Sequence, residues 1–78
     1  MPWQIIPRKV KIQGRTVPVL ESARGYVRVG QSIAEITQEQ RERIETLEGK
    51  EAIKEWQKHM WKAFEKALKE ERIRIKNK

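Results

Sequence analysis

The side chains able to do chemistry in this sequence are few. The one histidine, His59, follows Glu55 by four residues, so a helix would bring carboxylate and imidazole together. A metal centre needs three or four ligands, and with no cysteine and no second histidine this pair falls short of one. The expected state is a solvated histidine beside a glutamate on the polar side of a helix. Ser22 and Ser32 have no aspartate and no second histidine with which to build a nucleophilic triad. Gly25 and Gly30 flank a run of β-branched residues and do not make a phosphate-binding loop. Glutamates mostly alternate with lysines, as on solvated helices, and nothing in their spacing suggests paired-carboxylate hydrolysis. The sequence therefore predicts binding without catalysis, with no cofactor, no metal and no small-molecule substrate.

What it has in quantity is positive charge. Lysine and arginine number 18 against 11 acids, a net charge of +7. Residues 1–36 carry net +4, residues 37–49 net −2 and residues 50–78 net +5. Lys54, Lys58, Lys62 and Lys66 recur four apart, with Lys69 in the same stripe. Like charges at that spacing repel by about a few tenths of a kcal/mol per pair, so folding gains nothing from them. A phosphate backbone tracking along the helix would gain. Glu55, Glu65 and Glu70 dilute the stripe, and Arg72, Arg74 and Lys76 continue it into a basic tail. A second basic patch is expected on the strands, where Lys9, Lys11, Tyr26 and Arg28 share one face with Arg24 close by. A tyrosine beside arginines on a sheet can stack a base, although such platforms usually carry two or more aromatics.

These side chains need elements to position them. The chain divides near Thr37 into a β-rich half, residues 1–36, and a helical half. Lys9–Ile12 and Thr16–Val19 alternate polar and β-branched residues around Gln13-Gly14, a hairpin signal. Pairing them places Val10, Ile12, Val17 and Val19 on one face. Tyr26–Val29 forms a third strand; Ser32–Ile36 forms a fourth, with helix as the alternative. Pro18 cannot donate a hydrogen bond, which predicts that the second strand is an edge, with the third strand pairing with the first, or that the sheet opens there. Thr37 and Gln40 have capping-box spacing, opening a short helix over 37–48 with Gly49 as its stop. A long amphipathic helix follows over 50–72, and residues 73–78 are left as fraying helix, tail or short strand. The predicted fold is α+β: a small antiparallel sheet of three to four strands followed by two α-helices.

Ile53, Trp56, Met60, Ala63, Phe64, Ala67 and Leu68 mark the apolar arc of the long helix. A helix of about 23 residues is roughly 35 Å long, whereas a five-residue strand spans roughly 17 Å. The end carrying Phe64, Ala67 and Leu68, with Trp61 at its margin, is therefore expected to need another surface, in a second copy or another protein. No run of roughly 18 apolar residues is present to span a membrane. Residues 1–7 lack the pattern of a signal peptide. Binding to a membrane surface is disfavoured, because the apolar face is needed to cover the sheet. The absence of cysteine fits a reducing compartment such as the cytoplasm. All 11 acids are glutamate, as in a thermophile's charged surface, but six glutamines weigh against that comparison. The expectation is a small, basic, homodimeric nucleic-acid-binding protein with weak sequence preference. The alternative is a protein-interaction module that uses the apolar stripe.

Overall fold

The computed structural model describes residues 6–77. The readings of residues 1–5 and of Lys78 lie outside them. Strand β1 (Lys9–Ile12) turns into β2 (Arg15–Glu21), which is followed by β3 (Tyr26–Val29) and β4 (Ser32–Glu35). All neighbours are antiparallel, in the order β1-β2-β3-β4. Residues 32–35 are thus strand, not helix. Gln13 (φ 51°) and Gly14 (φ 77°) both take the left-handed conformation that a tight two-residue hairpin requires.

Pro18 does not make β2 an edge. Arg15–Pro18 pair with β1, while Val19–Glu21 pair with β3, so the two halves of one strand serve different neighbours. The Pro18 carbonyl accepts from the Gly30 N–H at 3.1 Å. An N–H at position 18 would have pointed to the Gly30 carbonyl, and that acceptor takes the Arg28 Nε at 2.8 Å instead. The missing donor is replaced by a side chain.

Helix α1 (Gln38–Glu45) begins at the expected capping box. The Thr37 hydroxyl accepts from the Gln40 N–H, and the Gln40 side chain accepts from the Thr37 N–H. The helix ends sooner than expected, at Thr46, whose hydroxyl donates to the Arg43 carbonyl at 2.7 Å. Gly49 (φ 59°) opens helix α2 (Gly49–Lys76) and does not close α1. With 28 residues, α2 runs four residues past the expected Arg72. Residues 73–76 stay helical because Arg74 is hydrogen-bonded to Glu71 and Ile75 packs against the core.

Helix α2 packs across β3 and β4, with α1 beside it on the same side. Ile12, Val17, Val19, Val27, Val29, Ala34 and Ile36 point inward and meet Met60, Ala63, Phe64 and Ala67. The apolar end of α2 is therefore covered by this chain: Phe64 and Ala67 are buried and Leu68 is half-buried. This end is covered because β2 staggers its two partners, whereas Ile53, at the other end of the apolar arc, is 43 % exposed. The staggered sheet is longer than any one strand, and Ile75 reaches the cleft lined by Val17 and Pro18. The described chain is a two-layer slab, 43 × 28 × 14 Å along its principal axes.

Candidate nucleic-acid interface

The buried side of α2 fixes what its opposite side presents. At about 100° per residue, Lys54, Lys58, Lys62, Lys69, Arg72 and Lys76 fall within an arc of about 80° facing away from the core. All six are exposed, and Glu51 and Glu65 share the arc. Lys66 is exposed on its margin. Lys54 to Lys76 spans about 33 Å of helix. Among the described residues, no lysine has an ion-pair partner: the pairs formed are Arg43–Glu55, His59–Glu55 and Arg74–Glu71. The lysine charge of this face is uncompensated at contact distance.

Arg74 does not join the stripe. It is half-buried on the inner side of α2, where its Nε and Nη2 donate to the two Glu71 carboxylate oxygens, both at 2.8 Å. The Ser32 hydroxyl donates to the same carboxylate at 3.0 Å. Glu71 is 2 % exposed, covered by the Gly30–Gln31 turn, where a Cβ on Gly30 would collide with the carboxylate. Its pKa is lowered to about 2, first by the Arg74 hydrogen bonds. Burial opposes that effect, and Ser32, the Arg74 charge and the Gln31 N–H assist it. Beside this lock lies an open cleft of about 620 Å3, lined by Gln13, Arg15, Thr16, Gln31 and Arg74 among others. The role of Glu71 was not legible in the sequence, where it stands as one more glutamate in a charged helix.

His59 also differs from expectation. It is 7 % exposed, not solvated, because α1 packs beside this flank of α2. Its Nε2 lies 2.9 Å from Glu55 Oε2, which is 3.6 Å from Arg43 Nε. Nδ1 is buried without a hydrogen-bond partner. No group of three or more metal-ligating side chains occurs among the described residues.

On the sheet, Lys9, Lys11, Tyr26 and Arg28 share the outer face and are exposed, as the register predicts. Arg24 lies in the turn before β3, where its carbonyl accepts from Arg41 Nη1 at 2.6 Å. The same face carries two residues absent from the predicted set. Leu20, Arg28 and Ile33 stand in one row across β2, β3 and β4, with Leu20 60 % and Ile33 57 % exposed. Alternation was the available signal, since placing Val19 and Ala34 inward turns Leu20 and Ile33 outward. Trp61 is partly exposed on α2, with its ring 5.2 Å from that of Phe64.

The structure thus separates the predicted contacts. The α2 stripe and the strand residues lie on opposite sides of the slab, and a single duplex groove cannot touch both. Comparison with family models, curated proteins and solved structures gave no match. Among the described residues, no helix is long and apolar enough to cross a membrane.

Proposed function

We propose that this protein binds nucleic acid through the outward face of α2, without catalysing a reaction. The observation that carries this reading is the line of exposed cations from Lys54 to Lys76, whose lysines have no acidic partner in contact among the described residues. A straight cationic face suits a regular array of phosphates. Lysines contact phosphates as point charges, so sequence preference is weak. Such work fits a protein of the cytoplasm. The rival protein-interaction reading loses its main support, because Phe64 and Ala67 are buried within the chain.

Titration of a random-sequence duplex at several salt concentrations tests the proposal. With about six phosphates neutralised, affinity should fall about a thousand-fold between about 50 and 200 mM salt. Replacing Lys58 and Lys62 with glutamine should reduce the log–log salt slope by about two. Binding no tighter than about 100 μM near physiological salt overturns the proposal.

A further inference from the structure

Among the described residues, no helix packs on the outer face of the sheet, which differs in character from α2. This face combines the exposed apolar row of Leu20 and Ile33 with Tyr26, which is 42 % exposed, and with Lys9, Lys11 and Arg28. Glu35, paired in register with Tyr26, is one acid on this face. A shallow hollow between Leu20, Glu21, Ser22, Tyr26, Arg28 and Ile33 has a volume of about 280 Å3. Exposed Glu21 at the hollow's rim is another acid. The Arg28 guanidinium is tethered to the Gly30 carbonyl, which holds it along the strand and leaves the apolar side chains on either side uncovered.

Two properties select the occupant. Lys9, Lys11 and Arg28 outnumber Glu21 and Glu35, so the face stays net cationic and a second copy would bring no net opposite charge. A duplex hides its bases, so Leu20, Ile33 and Tyr26 would face phosphates and lose water without gaining apolar contact. A single strand offers both complements, anionic phosphates and exposed base faces. We infer that the outer sheet face is a separate site for unpaired nucleic acid, whose bases pack on Tyr26, Leu20 and Ile33 while Lys9, Lys11 and Arg28 meet its phosphates. Combined with the α2 face, it makes the chain bivalent: a duplex on one side of a thin slab and a single strand on the other. The bridging step rests on the function proposed above for α2; the sheet site does not.

The probes are labelled oligothymidine and a random-sequence duplex, with the Tyr26 ring resonances as a local readout. Oligothymidine should shift those resonances, and Tyr26→Ala should weaken its binding about five-fold or more, the low end for one stacked base. The same variant should leave duplex affinity unchanged. The double variant Lys58→Gln, Lys62→Gln should do the reverse. Duplex fixed to beads should capture oligothymidine through the wild-type protein and through neither variant. These positions are exposed, and an unchanged circular dichroism spectrum confirms that each variant is folded. If duplex binds but oligothymidine leaves Tyr26 unshifted, the sheet site is overturned and the α2 reading stands. If oligothymidine shifts Tyr26 but duplex fails to bind, the α2 reading falls with the bridging, and the sheet site stands. If Leu20→Ser with Ile33→Ser converts a dimer into a monomer, a second copy occupies the face and the sheet inference is overturned.

Discussion

Helix α2 carries a glutamate paired with a basic side chain near each end, and the two pairs behave differently. Near its start, Glu55 shares one carboxylate oxygen between His59 at 2.9 Å and Arg43 at 3.6 Å. Near its end, Glu71 engages both oxygens with Arg74 and receives Ser32 and Gln31 as well. The spacings, four residues in one case and three in the other, both put partners on one helix face. The difference lies in what the sheet supplies. The Gly30–Gln31 turn closes over Glu71 and completes its hydrogen bonds, whereas α1 covers His59 and leaves Nδ1 without a partner. A glutamate near a basic residue becomes a structural lock where the backbone of another element fills its remaining acceptor positions.

This contrast can be broken first at Gly30. Gly30→Ala places a Cβ against the Glu71 carboxylate at a φ of 62°, and should cost about 2–4 kcal/mol by denaturant titration. Glu71→Ala should cost about 1–3 kcal/mol, since it strips partners from Ser32 and the Gln31 N–H. Glu55→Ala should cost less than Glu71→Ala, because its pair has fewer hydrogen bonds and a more exposed cation. Equal losses at the two ends would erase the distinction.

Acid sharpens it further. The folded pKa of Glu71 lies below its ordinary value of 4.5, at about 2. Its contribution to stability is therefore present above about pH 4.5 and is lost as pH falls towards 2. In wild type minus Glu71→Gln, the stability difference should shrink across that window. A difference independent of pH would show that the carboxylate's charge is not what the turn holds. The smallest effect is expected at the β1–β2 hairpin. Gln13→Asn, at a φ of 51°, should stabilise by about 0.5 kcal/mol, because asparagine tolerates the left-handed conformation better.

Much of this architecture follows from local pattern. Alternation in Lys9–Ile12 and Tyr26–Val29, turns at Gln13-Gly14 and Gly30-Gln31, and the Thr37 capping box locate four strands and the start of the first helix. Each signal depends on neighbours within a few residues. The same periodicity places Lys54, Lys58 and Lys62 away from the core, and Tyr26 with Arg28 on the outer sheet face.

Tertiary structure decided what no local pattern could encode. Pro18 lies inside the sheet because the adjoining strand has already ended at Val29 and Arg28 serves the acceptor that proline cannot. Phe64 and Ala67 are covered because a staggered sheet is longer than its strands. Glu71 and Arg74 left the solvated set because a turn 40 residues earlier closes over them. The separation of the cationic faces is likewise a property of layering, fixed when α2 takes the inner side of the sheet and no other described helix takes the outer side. Sequence alone determined which faces each element has; packing determined which of those faces meet and which remain for a partner.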